Sequence, residues 1–194
     1  MPRAGLHRDA GRVVDARWLL RDGTRDLHDR AEAALGDGPM RDLGEYIGML
    51  RTMLDMTETV LRAIDTCLPA QLTVGLEQDR ARLRSDISDL GASVLPRASG
   101  IVIGSRAEAL GALYVCEGSK LGARILARQA ETGLGLTAEH GAAYLNAEGT
   151  ASGARWQAFV ATMNRDIVHP DDVHQALLAA RSVFRIIVDR YKEA

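Results

Sequence analysis

An all-α fold is what this 194-residue sequence predicts, and three observations predict it. Apolar residues recur at three- and four-residue intervals over long runs. Aromatic residues make up only 4% of the chain, and no segment sustains a period-two alternation with β-branched enrichment. Glycine and proline fall between the periodic runs, where they punctuate helices. The hydrophobic share of 46% supplies a core for one domain, and with a net charge of −2 it excludes intrinsic disorder. That near-neutral balance also excludes a bulk nucleic-acid binder, which carries a clear basic excess.

Taken in order, helices are expected near 12–35, 43–67, 75–91, 105–132, 153–166 and 171–192, with 92–104 and 133–152 as connections. The second run is the most regular: Leu43, Tyr46, Ile47, Leu50, Met53, Leu54 and Leu61 form a core-facing stripe, and Pro69 helps to stop it. The last opens on Pro170, with Asp171 and Asp172 at the positive end of the helix dipole. Its apolar face continues through Leu177, Leu178, Val183, Phe184, Ile187 and Tyr191. Residues 1–15 read as a mobile tail before a single domain over 16–194.

Cys67 and Cys116 are far apart in apolar runs and read as reduced core residues of a cytoplasmic protein. Cys116 has Glu117 beside it, but adjacent helical residues point about 100° apart, so the two do not make a catalytic dyad. No run of 18 apolar residues is present to span a membrane, and the N-terminal arginines precede no apolar block of a signal peptide. Gly-x-Ser-x-Gly and the phosphate-loop pattern are absent. His7, His140, His169 and His174 carry no ligand spacing, and the five-residue step from His169 to His174 puts their side chains on opposed faces.

Two constellations remain. Within the first helix, Arg21, Arg25, His28 and Glu32 share one face. A neutral imidazole ligates iron well, and a carboxylate one turn on can accept its other ring N–H and orient it. The guanidinium groups would disfavour protonation of the imidazole and pair with ligand carboxylates. The same spacing also describes a surface His–Glu pair among solvated arginines.

The second constellation is Leu110-Gly-Ala-Leu-Tyr114-Val-Cys-Glu-Gly118-Ser119-Lys-Leu-Gly122-Ala. Each glycine costs roughly 1 kcal/mol in a helix interior. At about 100° per residue, Gly111, Gly118 and Gly122 fall within roughly 20° of one line. Such a bare stripe lets backbone approach something flat, permits a bend, and leaves the small Ser119 hydroxyl beside it. Close helix–helix packing uses small residues in the same way. A flat apolar ligand between this stripe and the His28 face accounts for both oddities together.

At these residues the chain resembles the bacterial heme oxygenases, including the bacteriophytochrome-associated type. Thr24-Arg-Asp-Leu-His28-Asp-Arg-Ala-Glu32 and the Glu117-Gly-Ser-Lys-Leu-Gly122 segment carry the resemblance. Residues 86–91, the run Gly153-Ala-Arg-Trp156-Gln-Ala-Phe159 and the final helix through Phe184 support it. The resemblance implies an all-helical fold with heme sandwiched between a proximal and a distal helix. It implies that His28 is the axial iron ligand and Glu32 its orienting partner. Gly118 and Gly122 would let the distal helix kink over the heme, and Ser119 would stand where polar groups and water steer dioxygen. Arg21 and Tyr114 match positions that contact the propionates, and Phe184 an aromatic wall.

The activity implied is oxidative opening of heme to biliverdin with release of ferrous iron and carbon monoxide. Heme is then both substrate and cofactor, and dioxygen and electrons from a reductase or ferredoxin are consumed. A bacteriophytochrome pathway is the implied user of the biliverdin, and neither nucleic acid nor membrane is an expected partner. A non-catalytic heme carrier or sensor on the same fold is the alternative. It draws on the first two of three departures, and the third, in a loop, bears on heme orientation and the biliverdin isomer instead. Ser119 stands where animal members have a distal aspartate. Trp156 and Val160 stand where they have two basic residues, with Arg155 adjacent but facing elsewhere. The loop Ala142 to Gly149 lacks the Tyr-Gly pair of the bacteriophytochrome-linked group.

Overall fold

The computed structural model describes residues 15–35, 40, 42–94, 100–147 and 152–193. All of the expected tail except Asp15 lies outside these residues, as does Gly149. The helices are α1 (Ala16–Leu35), α2 (Leu43–Ile64), α3 (Ala70–Asp89), α4 (Arg106–Ser119), α5 (Ala123–Leu134), α6 (Ala143–Asn146), α7 (Ser152–Asp166) and α8 (Pro170–Glu193). A single 3-10 turn, Lys120–Gly122, joins α4 to α5. The described residues contain no strand, in line with the expected all-α class.

Local chemistry sets the boundaries. Asp42 caps α2 by accepting from the Glu45 amide at 3.0 Å. Pro69 serves as the N-cap of α3, which therefore starts five residues before the expected position. The weak apolar pattern and Gly75 had hidden that first turn. Ser105 and Glu108 form a capping box that opens α4, each side chain bonding the other's backbone. The expected continuous helix over 105–132 is broken at 119–122. Ser119 Oγ donates to the Cys116 carbonyl at 2.8 Å and draws the last turn tight. Gly135 at φ 70° supplies the left-handed residue that ends α5. The connection after it holds the unexpected helix α6, because buried Asp86 of α3 accepts from the Ala143 and Tyr144 amides at 2.8 Å each.

Helix α8 packs mainly against α4 and α1, and α2 against α3 and α8. Glycines bring α1 and α4 close to it. A Cβ on Gly23 of α1 would meet Leu177 at 2.6 Å, and one on Gly111 of α4 would meet the Ala176 carbonyl oxygen at 2.0 Å. These contacts fall at consecutive residues of α8. The stripe of α2 is buried at Tyr46, Leu50, Met53, Leu54 and Leu61, whereas Leu43 is exposed. On α8, Val183, Phe184 and Ile187 are buried, but Leu178 is 51% exposed and lies off the core face. No helix among the described residues is long and apolar enough to cross a membrane.

Candidate functional site

Thr24 of α1 lies beside Tyr114 of α4, on the two helices that carry the expected site. Its hydroxyl donates to the Leu20 carbonyl at 2.7 Å. One turn beyond this contact α1 presents His28, and one turn beyond Tyr114 α4 presents Gly118. Burial is the main cause that raises the Tyr114 pKa, so the phenol stays neutral.

His28 carries the chemistry on α1. Its Nδ1 lies 3.5 Å from Glu32 Oε2 and 4.0 Å from Asp29 Oδ1. These three residues form a metal-capable group among the described residues, with ligand atoms within 4.8 Å of one another. Both carboxylates lie near Nδ1, which leaves Nε2 as the ring nitrogen available to an incoming ligand. The side chain is 55% exposed, so a ligand reaches it without a rearrangement of the core. Phe184 of α8 backs it, with ring centroids 6.0 Å apart in an edge-on arrangement. His28 thus stands beside both Glu32 and Phe184.

The two arginines expected on this face are turned differently. The Arg21 guanidinium lies 5.0 Å from the centre of the exposed Trp18 ring, and Arg25 bonds Asp22 at 3.3 Å. Arg17 joins them; it lies 5.2 Å from Trp18 and 5.9 Å from Trp156. Sequence reasoning missed Arg17 and Trp156 as neighbours of Tyr114, whose ring centroid lies 5.7 Å from that of Trp156. Nothing in the local pattern of α7 signals that contact, because it depends on how α7 docks.

The glycine stripe divides in two. Gly111 belongs to the α8 crossing and serves close packing. Gly118 faces the Trp156 ring edge, 3.8 Å from where a Cβ would stand, and at Gly122 a Cβ would meet nothing within 4 Å. The latter two thus retain open backbone, with exposed Leu121 and Ile125 alongside. Ser119 is half-buried, and its hydroxyl donates to the Cys116 carbonyl. Desolvation raises the pKa of the nearby buried Tyr144, which stays neutral. The hydroxyl expected beside the stripe is therefore committed as a donor to its own helix.

A cluster of buried charge backs the break. Lys120 contacts Asp79 of α3 and lies 3.7 Å from Glu117, which Arg155 of α7 bonds at 2.5 Å. Arg155 turns away from the Trp156 side, as expected from its position.

Comparison with known proteins bears on this arrangement. The sequence model of the family described as "Heme oxygenase" matches residues 71–192. Among solved structures, the nitric oxide- and carbon monoxide-bound heme oxygenase from Neisseria meningitidis superposes with a TM-score of 0.76 at 25% identity. The match covers 93% of this chain and 92% of that one. No curated protein sequence matches.

Proposed function

The chain belongs to the heme oxygenase family, and we propose that it binds heme through His28 and opens it oxidatively to biliverdin, with release of ferrous iron and carbon monoxide. The observation that carries this reading is the pairing of an accessible imidazole on α1, its Nδ1 3.5 Å from Glu32, with the bare backbone at Gly118 near the end of α4 and at Gly122 on the turn after it.

The residues fit the group. Gly122 has open space where any side chain would project, and Gly118 has only a ring edge near it. Heme, when bound, supplies the iron that activates dioxygen and is itself the carbon skeleton that is oxidised. His28 would ligate through Nε2, while Glu32, 3.5 Å from Nδ1, would accept from Nδ1–H and fix the tautomer. Phe184 would bound the macrocycle beside that imidazole. Arg21 and Tyr114 would take the propionates. The Trp18 stack leaves the Arg21 guanidinium exposed, where it can meet a carboxylate.

Catalysis by Ser119, Gly118 and Gly122 is then largely a matter of shape. With the Ser119 hydroxyl bonded to Cys116, the segment offers backbone and ordered water to dioxygen instead of a free side-chain donor. Electrons would come from a soluble reductase or ferredoxin in the cytoplasm, and a bacteriophytochrome pathway would consume the bilin. The bond from Ser119 to Cys116 also favours the second reading, a heme carrier or sensor, because it engages the one side-chain hydroxyl of residues 118–122, where no carboxylate stands.

The protein mixed with hemin and given ascorbate in air decides between them by absorbance. The oxygenase reading expects the heme band to fall as a biliverdin band grows. A heme band that persists without bilin contradicts it and establishes the carrier.

A further inference from the structure

The buried charges behind the glycine segment come from four separate elements. Asp79 and Arg82 lie on α3, Glu117 on α4, Lys120 on the 3-10 turn and Arg155 on α7. The side chains of Asp79, Glu117 and Lys120 are 2%, 4% and 9% exposed. Arg155 bonds Glu117 and approaches Asp79 to 3.9 Å; Arg82 bonds Asp79 at 3.3 Å. Gly75 is part of the same device, since a Cβ there would meet the Arg155 guanidinium at 2.2 Å.

Burying this much charge is expensive, and a packed apolar cluster of the same volume would stabilise the fold at least as well. What an ionic cluster adds is direction: each charge accepts its partners in one arrangement only. Here Lys120, the first residue after α4, lies against carboxylates from α3 and α4. Lys120 and Glu117 face inward, whereas Leu121 and Gly122 are exposed on the other side of the same turn. Arg155 also anchors the start of α7, and the next residue, Trp156, lays its ring edge toward Gly118.

We propose that Lys120 is a positioning residue: through Asp79 and Glu117 it sets where the Gly118–Gly122 backbone stands relative to the His28 face, and so the width of the heme slot. This rests on the heme reading above.

The test compares Lys120→Met, Lys120→Arg and the paired Asp79→Leu/Lys120→Leu variant with the wild-type protein. Amide hydrogen exchange over residues 116–124 is followed without heme, and hemin dissociation into an excess of a heme-scavenging protein is followed after loading. Lys120→Met leaves Asp79 short of a buried partner, and exchange over 116–124 should rise roughly a hundredfold. Hemin should leave faster, the Soret band should move, and Lys120→Arg should recover much of both. The paired apolar variant should regain the wild-type unfolding midpoint yet keep fast exchange at 116–124 and fast hemin loss. Should Lys120→Met fail to fold, the paired variant decides alone. Wild-type exchange and hemin retention in the paired variant overturn the proposal, because apolar filling would then suffice. Failure of the wild-type protein to bind hemin overturns the heme reading instead, and the exchange comparison still reports on the helix break.

Discussion

Cys116 is 1% exposed, and burial pushes its thiol pKa up, with Glu117 adding to the rise. A thiol in that state stays protonated at neutral pH and has no route to a substrate. Cys67, half-buried at the end of α2, is the accessible one. Iodoacetamide applied at pH 8 to the folded protein should label Cys67 and leave Cys116 unmodified until denaturant is added; labelling of Cys116 in the folded state would reopen a thiol-based activity. The same scale shows what was legible from residue spacing. His28 and Glu32, four apart on a helix, had to share a face, and they do, at 3.5 Å. Arg21 has the same spacing logic, yet it turns onto Trp18. Spacing fixes the face of a helix but not which neighbour a long, flexible side chain chooses.

Glycines show the same division among elements. Gly111, Gly118 and Gly122 align on an unbroken helix, but the structure assigns them to two tasks. Gly111 is required by backbone: a Cβ there would stand 2.0 Å from the Ala176 carbonyl oxygen, and neither helix can yield without opening the α4–α8 crossing. Gly111→Ala should therefore cost about 2 kcal/mol or more, an overpacking penalty, and lower the melting temperature by roughly 4–8 °C. Gly153→Ala, where a Cβ would meet nothing within 4 Å, should cost no stability in the same thermal melts. Equal melting temperatures for the two variants would refute the packing role. The break at 119–122 was foreshadowed by its glycines but not located by them. The break coincides with the Ser119–Cys116 bond and with Lys120, whose partner Asp79 lies on α3, far along the chain. Helix α6 was invisible for the same reason, since its first amides are held by Asp86, 57 residues earlier.

For the whole molecule, α8 is the frame on which the site is assembled. Arg181 bonds both the Gly23 carbonyl and Asp26 of α1, at 2.5 and 2.6 Å, and Arg190 bonds Asp55 of α2 at 2.7 Å. Helix α4 crosses the same helix at Gly111, which brings Tyr114 of α4 beside Thr24 of α1. The all-α class and the segments that build this frame were readable from periodicity. Docking contacts of this kind were not, because each joins residues that no local pattern relates. With the frame in place, His28 stands accessible on α1, and Gly118 at the end of α4 and Gly122 on the turn after it keep their backbone bare. The proposed function requires that this pair of surfaces holds heme with His28 on the iron. An absorbance titration with hemin of the wild-type protein and of His28→Ala tests it most directly. The wild-type protein should give a saturable one-to-one complex with a sharp Soret band. His28→Ala, with unchanged circular dichroism, should lose that band or shift it to that of weakly held hemin. An identical spectrum and stoichiometry for the two proteins would contradict the claim.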